Sequence, residues 1–236
     1  IRDSLQPYVD TWTVVKSGMA EKAFDPQPLR VSYDTGVLES VADTPLAQFT
    51  KWLNEAIELN IKEPNAMVLA TVNAQGEPSS RSVLMKDVDV RGVSFYTNYG
   101  SRKSQELMAN ANAAITFPWY VMHRQINVVG SIERVDRDEA TAYWATRPRG
   151  SQIGAWASRQ SSVLDGREDL ESAWQHFERL FEGQDVPLPE FWGGWRVKPR
   201  TIEFWQGRVS RLHDRLRYTN IGAARLDHAA DWRIER

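Results

Sequence analysis

Short strand-like runs joined by tight turns are the feature that most limits the folds open to this chain. Residues 66–73 and 79–86 flank AQGEP, a turn that contains glycine, and together they predict a β-hairpin. A third strand is predicted at 92–98. Short strands in sequence, with helical runs inserted between them, favour an antiparallel barrel or an α+β domain over a parallel βαβ sheet. The expected fold class is therefore mainly β with flanking helices.

Helical and strand patterns continue along the rest of the chain. A helix is predicted from Thr44 to about Asn60, where Phe49, Trp52 and further apolar residues recur at helical spacing behind a Thr-Pro start. Further helices are predicted at 101–111, 136–147 and 166–183, and further strands at 113–120, 123–135, 195–206, 211–219 and near 231–235.

Length and composition fit one large domain or two small ones. The 236 residues are 42% hydrophobic and 25% charged, which is enough apolar content for a sizeable core. Residues 1–43 mix polar residues, prolines and glycine with little periodicity. We therefore expect an irregular N-terminal arm or lid over 1–43 and a single domain over 44–236.

Charge and cysteine content exclude several classes of function. A formal net charge of −2 argues against sequence-independent nucleic-acid binding, which needs a basic field. The absence of cysteine excludes disulfides, thiolate nucleophiles and cysteine-ligated zinc. The four histidines lack the spacing of a metal motif, and no apolar run approaches the roughly 20 residues of a membrane span. These patterns predict a soluble, cytoplasmic protein without a metal site.

The segment Trp192–Arg215 combines residue types that are costly to bury together. It contains Trp192, Trp195 and Trp205 beside several arginines and a histidine. Tryptophan favours burial, whereas the guanidinium group of arginine is rarely buried unless a carboxylate or another anion accepts its hydrogen bonds. A planar, anionic ligand would satisfy both residue types. A sheet edge with solvated arginines and core tryptophans is the simpler alternative.

A second cluster, Tyr143–Ser162, is rich in donors that suit a phosphate ester. Pro148 and Gly150 break the preceding helical run, so the hydroxyl and N–H groups that follow lie near a helix start, where anions are favoured. The segment predicts a phosphate site without a P-loop, and a capped helix start with exposed arginines is the alternative. The candidate donors are Arg147, Arg149, Ser151, Arg159, Gln160, Ser161 and Ser162.

The predicted hairpin carries a third group of donors. In RSVLMK (81–86), a period of two places Arg81 and Lys86 on opposite faces of a strand, which would suit two ligands or a ligand and solvent. Gln125, on a strand between apolar neighbours, is a candidate for a buried polar contact. Further donors stand at a strand end and a helix start, namely Tyr96, Thr97, Arg102 and Lys103.

Several long motifs of this chain resemble the pyridoxamine 5′-phosphate oxidase family. They are RSVLMK, FYTNYGSRK, RQINVVG, YWATRPRGSQIGAWASRQSS, WGGW, EFWQG and RLHDR, and their spacing also agrees. The resemblance runs from about Arg30 to the C-terminus. It implies an FMN-binding split β-barrel that works as a homodimer, with FMN sites at the subunit interface. The strand pattern is compatible with this fold but does not establish it.

The resemblance also implies roles for individual residues. FMN would contact Arg81, Ser82, Val83, Leu84, Met85, Lys86, Tyr96, Thr97, Arg102, Lys103, Gln125, Gln160, Ser161, Trp205 and Arg215. The phosphate of the substrate would bind Lys86, Tyr143, Arg147 and Ser151. In the N-terminal arm, Arg30 and Tyr33 would fold over the substrate as a lid. On the reacting side, the substrate would meet Arg211, Leu212 and His213, with Arg211 and His213 as the catalytic residues.

The reaction implied by the resemblance is FMN-dependent oxidation of pyridoxamine or pyridoxine 5′-phosphate by O2. Its products would be pyridoxal 5′-phosphate and hydrogen peroxide, with ammonia from the amine. Two alternatives are a non-catalytic split-barrel protein that binds a flavin or haem, and a related flavin or deazaflavin oxidoreductase with another substrate. The RLHD and RPRGS motifs favour the oxidase. His213 would either accept a proton or only orient the substrate, and the sequence does not separate these roles.

Overall fold

An antiparallel sheet forms the body of the protein in a computed structural model, which describes Tyr33 and residues 36–236. The strands are β1 (Ala66–Val72), β2 (Pro78–Leu84), β3 (Asp87–Asp89), β4 (Gly92–Asn98), β5 (Asn112–Trp119), β6 (Arg124–Arg134), β7 (Trp192–Gln206), β8 (Asp214–Asn220) and β9 (Trp232–Glu235). The helices are α1 (Pro45–Glu58), α2 (Arg102–Ala109), α3 (Arg137–Ala145), α4 (Arg149–Ala157) and α5 (Arg167–Leu180). The prediction of a mainly β fold with flanking helices is confirmed.

Strand β7 organises the sheet, whose order is β2-β1-β5-β6-β7-β4-β3, with β8 on β7 and β9 on β8. One edge of β7 pairs with β6 from Trp195 to Gln206. Its other edge pairs with β4 through residues 192–197 and with β8 through residues 201–206. Pro199 lies between these two stretches. On this edge of β7, its missing N–H therefore interrupts no hydrogen bonds to a neighbouring strand. The sheet therefore divides into two parts along one edge of β7.

Helix α1 covers the main core of the sheet. Phe49 packs edge-to-face on Phe117 of β5 with ring centroids 5.2 Å apart, and Trp52 packs in the same way on Phe204 of β7 at 5.1 Å. These four side chains are almost fully buried, and each contributes roughly 2–3 kcal/mol through burial. Thr44 caps the helix with its hydroxyl, as the Thr-Pro start predicted.

A smaller apolar cluster holds α3, α4 and α5 against the start of β7. It contains Trp144 of α3, Ile153 of α4, Phe181 after α5 and Trp192 of β7. Helix α4 begins directly after Pro148, so the predicted helix start is confirmed. This cluster fixes the corner between α3 and α4 beside β4. In the described part of the chain, no helix is long and apolar enough to span a membrane.

The boundary of β8 differs from the prediction. The strand expected at 211–219 begins only at Asp214, because Val209–Arg211 forms a 3-10 turn. Within this turn, Ser210 and Arg211 have φ angles of 56° and 62°. Left-handed backbone of this kind cannot continue a strand, and the side-chain pattern of the segment did not reveal it.

The last part of the expected N-terminal arm packs on the domain. Leu38 is buried in the main core, and its N–H donates to the carboxylate of Asp214 at 3.0 Å. Arg236, at the other end of the chain, donates to the carbonyl oxygens of Leu38 and Glu39. The division of the chain at residue 43 into an arm and a domain stays a prediction.

Candidate active site

Four cationic side chains line a cavity between β2, β4 and the corner of α3 and α4. The cavity, called here the basic cavity, has a volume of about 640 Å³. Its size suits a cofactor or a small organic phosphate, and its charge favours an anion, because none of the described residues that line it is an acid. The cations are Arg81, Lys86, Lys103 and Arg147, and the other lining residues are Ser82, Val83, Leu84, Tyr96, Thr97, Tyr143, Thr146, Pro148, Ser151 and Gln160.

Lys103 is the most deeply buried of these cations. It is 9% exposed, and its Nζ donates to Oε1 of Gln160 at 2.9 Å and to Oγ1 of Thr97 at 3.3 Å. Both partners are neutral. Burial, and then the nearby charge of Arg81, lower the pKa of Lys103 below the ordinary lysine value. A bound anion would offset both effects, so this lysine fits a phosphate-bearing cofactor.

Tyr96 and Tyr143 line the basic cavity and stack with Trp192, which does not line it. The ring centroids of Tyr96 and Tyr143 are 4.1 Å apart, and those of Tyr96 and Trp192 are 5.5 Å apart, with interplanar angles of 21° and 13°. Burial, and then the carboxylate of Glu139, raise the pKa of Tyr96 to about 12. The hydroxyl of Tyr96 therefore remains a neutral hydrogen-bonding group at physiological pH.

Arg147 and Ser151 meet at the corner of α3 and α4. Nη2 of Arg147 donates to the carbonyl oxygen of Ser151 at 2.9 Å, and the guanidinium group lies 4.7 Å from the ring centroid of Trp192. The Nε of Arg147 is buried and has no partner among the described residues. A buried, unpaired donor beside a cavity fits an oxyanion. The structure thus places Tyr143, Arg147 and Ser151 together with Lys86.

Arg81 and Lys86 line the same cavity, so the prediction that they point apart is wrong. Strand β2 ends at Leu84, and a new strand begins at Asp87, so the period of two does not extend to Lys86. Met85 departs from its neighbours, because it is 5% exposed, belongs to the main core and does not line the cavity. The other residues of RSVLMK all contribute to the cavity wall.

Two further expected FMN contacts, Arg102 and Ser161, do not line the basic cavity. Arg102 opens α2, and its Nε donates to Oε1 of Glu106 at 2.8 Å. Ser161 has a left-handed φ of 72° and directly follows Gln160. Each of them is adjacent in sequence to a residue that does line the basic cavity, Lys103 in the first case and Gln160 in the second.

The remaining expected FMN contacts form a row across three neighbouring strands. Gln125 of β6 lies opposite Trp205 of β7, and Trp205 lies opposite Arg215 of β8. Arg215 donates from Nη1 to Glu203 at 2.8 Å. None of the residues in this row lines the basic cavity. Within one chain, the predicted FMN contacts therefore form two separate groups.

The turn between β7 and β8 presents Arg211 and Leu212 to solvent. The side chain of Leu212 is 78% exposed, and Arg211 is also exposed. Ser210 and Arg211 are consecutive residues with positive φ. This backbone is uncommon outside glycine and is often retained at functional sites. The turn thus holds Arg211 in a specific, strained conformation.

His213 lies among aromatic rings, with centroids 4.7 Å from Trp205 and 5.5 Å from Tyr33. Its Nδ1 accepts a hydrogen bond from the N–H of Arg208 at 3.0 Å. The neutral ring therefore carries its proton on Nε2. Tyr33 packs against His213 and Trp205, and its expected role as a lid over the substrate stays a prediction. Arg30, its expected companion, lies outside the described residues.

Two residues beside these groups were not anticipated. Glu106 of α2 is buried and accepts hydrogen bonds from Arg81 and Arg102. The only sequence feature that points to Glu106 is its position four residues after Arg102, the spacing of an ion pair on a helix. His123 packs on Tyr33 with ring centroids 4.6 Å apart, and its buried Nδ1 has no partner among the described residues. No local pattern marks His123.

Comparison with known proteins now identifies the family. Residues 53–180 match the family model described as pyridoxamine 5′-phosphate oxidase, and the chain is 50% identical over 207 residues to the pyridoxine/pyridoxamine 5′-phosphate oxidase of Rubrobacter xylanophilus, with 88% of each chain covered. This chain belongs to the pyridoxamine 5′-phosphate oxidase family. Residues 192–236 match the pyridoxine 5′-phosphate oxidase C-terminal dimerisation region. The enzyme of the same name from Saccharopolyspora erythraea is 51% identical over 212 residues, which cover 88% of this chain and 92% of that one. The resemblance inferred from the motifs is confirmed.

Solved structures confirm the FMN-binding split-barrel fold. PhzG from Burkholderia lata 383, in complex with tetrahydrophenazine-1-carboxylic acid, has a TM-score of 0.78 and 31% identity, and the match covers 87% of this chain and 98% of that one. A pyridoxamine 5′-phosphate oxidase-related, FMN-binding protein from Nostoc punctiforme has a TM-score of 0.62 and 14% identity, covering 80% of this chain and 96% of that one. The second likeness concerns the fold alone.

Proposed function

We propose that this chain oxidises pyridoxamine 5′-phosphate or pyridoxine 5′-phosphate to pyridoxal 5′-phosphate, with FMN as cofactor and O2 as electron acceptor. The other products are hydrogen peroxide and, from the amine, ammonia. Relatives at about 50% identity carry the name of this enzyme. The structural observation that carries the proposal is the basic cavity, in which residues expected on the substrate phosphate adjoin residues expected on FMN.

The donors of the basic cavity fit the phosphate of FMN. Arg81 and Lys103 supply positive charge, and Thr97 and Ser82 supply hydroxyl groups at the same wall. The lowered pKa of Lys103 indicates that its charge is costly in a buried site without an anion. When bound, FMN supplies a two-electron acceptor for the substrate carbon and passes the electrons to O2.

A second copy of the chain would bring the two groups of FMN contacts together. The row of Gln125, Trp205 and Arg215 does not line the basic cavity of its own chain. Two members of that row lie within residues 192–236, which match the family's dimerisation region. We infer a homodimer in which each FMN lies between the basic cavity of one subunit and the row of the partner.

The other donors of the basic cavity would hold the substrate by its phosphate. Lys86 and Arg147 provide charge, and Tyr143 and Ser151 provide hydroxyl groups. The phosphate is remote from the carbon that reacts. Binding free energy from this end can therefore orient the pyridine ring, as well as hold it.

Three other residues, at the turn between β7 and β8 or packed against it, would act on the reacting side. Arg211 would position the amine or alcohol and stabilise negative charge. His213 would orient the substrate through the proton on Nε2, because its Nδ1 is already occupied by the N–H of Arg208. Tyr33, which packs on His213, would cover the ring and exclude water.

The likeness to PhzG supports a second candidate, a flavin oxidoreductase with a substrate that carries no phosphate. Two observations favour the oxidase. Identity is 31% to PhzG but 50% to the oxidase of Rubrobacter xylanophilus. The cluster of Tyr143, Arg147 and Ser151 also provides phosphate donors that such a substrate would not need. A non-catalytic flavin or haem carrier would need neither this cluster nor Arg211.

The visible spectrum of the purified protein tests the proposal. We expect a yellow protein that bleaches when pyridoxamine 5′-phosphate is added without oxygen and recovers its colour in air, with pyridoxal 5′-phosphate formed. Unphosphorylated pyridoxamine is the matched control and should bleach it far more slowly. A yellow protein that does not bleach would favour the carrier or another substrate. A colourless protein would first be reconstituted with FMN.

A further inference from the structure

Glu106 joins helix α2 to strands β1 and β2 beneath the basic cavity. Its side chain is only 5% exposed. Oε2 accepts hydrogen bonds from Thr71 Oγ1 at 2.5 Å, Ser79 Oγ at 2.7 Å and Arg81 Nη2 at 3.1 Å. Oε1 accepts from Arg102 Nε at 2.8 Å. One carboxylate thus links two arginines that the family resemblance assigns to FMN.

Glu106 is ionised throughout the working pH range. Burial raises the pKa of its carboxyl, but the hydrogen bonds from Ser79, Thr71, Arg102 and Arg81 together outweigh that effect and lower the pKa to about 2. A buried charge with this many donors is held in one geometry. The carboxylate therefore acts as a rigid acceptor for both guanidinium groups.

The two arginines depend on Glu106 to different extents. Arg81 also donates to the carbonyl oxygen of Leu69 and to the hydroxyls of Thr71 and Ser79, so several acceptors constrain it. The side chain of Arg102 is 62% exposed, and its hydrogen bond to Glu106 is the one it makes within the described structure. Without Glu106, Arg102 would regain most of its rotamer freedom.

Charge and geometry predict opposite effects of Glu106 on anion binding. As a negative charge beside two arginines, it weakens the positive potential at the cavity. As a fixed acceptor, it holds both guanidinium groups in place before the ligand arrives, which lowers the entropic cost of binding. A carboxylate this close to a phosphate site would weaken phosphate binding by repulsion. It favours binding only if the gain from holding the two arginines in place is larger than that repulsion.

We propose that Glu106 is a positioning residue that holds Arg81 and Arg102 for the phosphate of FMN. This inference rests on the proposed function, because FMN is the cofactor proposed there. It concerns the phosphate end of the cofactor only. Substitution of Glu106 should therefore leave binding of the isoalloxazine ring unaffected.

Flavin titrations of the full chain, stripped of cofactor, test this inference. Binding of FMN and of riboflavin would be followed by quenching of flavin fluorescence in the wild type and in Glu106→Gln. We expect the variant to bind FMN roughly tenfold or more weakly, the loss typical of a disrupted charge-assisted contact, with riboflavin affinity nearly unchanged. Glu171→Gln, in an exposed i,i+4 pair with Arg167, is the matched control and should bind both flavins like the wild type.

Glu106→Asp separates geometry from charge, because it keeps the carboxylate but withdraws it by one methylene group. We expect Glu106→Asp, like Glu106→Gln, to bind FMN more weakly than the wild type. If the glutamine variant does not fold, the aspartate variant alone tests the inference. Unchanged or tighter FMN binding in these variants would overturn the inference, as would an equal loss for riboflavin. A wild-type protein that binds no FMN would instead overturn the proposed cofactor, and this inference with it.

Discussion

The Nδ1 of His213 accepts a hydrogen bond from the backbone N–H of Arg208, at 3.0 Å. This contact bears on a question that the sequence left open, whether His213 accepts a proton or only orients the substrate. With Nδ1 occupied, the neutral ring offers the N–H of Nε2 and has no free acceptor nitrogen. The geometry therefore favours an orienting donor.

Glutamine at position 213 should preserve more activity than leucine. Its side-chain amide can place an N–H near the position of Nε2, whereas leucine has no donor. We expect kcat of His213→Leu to fall about tenfold to a hundredfold, and that of His213→Gln to fall clearly less. Steady-state kinetics, together with the flavin content of each variant, would measure this. His176→Gln, at an exposed position of helix α5, is the control. Equal losses in the glutamine and leucine variants would indicate a proton acceptor.

Arg211 and Arg81 should affect different steps. Arg211→Met is expected to lower turnover roughly a hundredfold while flavin content stays near the wild-type value, because Arg211 lies in the exposed turn between β7 and β8. Arg81→Ala is expected to lower flavin content first, because Arg81 lines the basic cavity. Flavin per chain after gel filtration, followed by turnover at saturating FMN, separates the two effects. Equal flavin loss in both variants would contradict this division.

Assayed without added FMN, two variants of very low activity should restore activity in a mixed dimer. If each site draws on two subunits, a hybrid of Arg81→Ala and Arg211→Met contains one site with both substitutions and one intact site. Random assembly from equal amounts then predicts about a quarter of the wild-type activity. Co-expression and activity measurement test this, and light scattering should give the mass of two chains. Hybrids without activity, or a monomer that retains flavin, would argue against a shared site.

FMN affinity should fall as the pH rises through the lowered pKa of Lys103. Burial and Arg81 lower that pKa in the free protein, whereas a bound phosphate favours the charged lysine. The protonated form therefore binds FMN more tightly, and deprotonation at alkaline pH removes that advantage. Titrations between about pH 7 and about pH 10 should show a decline for FMN that exceeds the decline for riboflavin. In Lys103→Met, FMN affinity should decline with pH no more than riboflavin affinity does. If FMN affinity declined beyond riboflavin affinity by the same amount in the variant and the wild type, Lys103 would not be the cause.

Arg196 should contribute to stability through its buried ion pairs. Its side chain is 3% exposed and donates to Glu139 at 2.5 Å and to Glu133 at 3.4 Å. Arg196→Met leaves both carboxylates without this partner, and since they are partly exposed we expect a loss of about 2 kcal/mol in the free energy of unfolding. Urea denaturation measures it. Arg233→Met, in an exposed pair with Glu235, should change stability by less than about 0.5 kcal/mol.

Local patterns predicted most of the secondary structure. The cap and apolar spacing behind Thr44 predict the first helix, and two strand-like runs around a turn that contains glycine predict the first hairpin. Both signals arise between residues that are close in sequence. The start of β8 was missed because Ser210 and Arg211 adopt left-handed backbone, which neither residue type signals.

The donor groups were predictable in composition but not in arrangement. Lys86, Tyr143, Arg147 and Ser151 were expected on one phosphate, and the structure places all four at the basic cavity. Alternation, however, wrongly separated Arg81 from Lys86, because the end of a strand depends on its hydrogen-bonding neighbours.

The amino-acid sequence by itself determined the family, the fold class and the inventory of charged and aromatic donors, because motifs, caps and periodicity are properties of neighbouring residues. Only the tertiary structure decided that the row of Gln125, Trp205 and Arg215 stands apart from the basic cavity. It also decided that Glu106 ties α2 to Arg81, 25 residues away in the chain. Such contacts depend on which distant strands and helices pack together, and no local pattern encodes that choice.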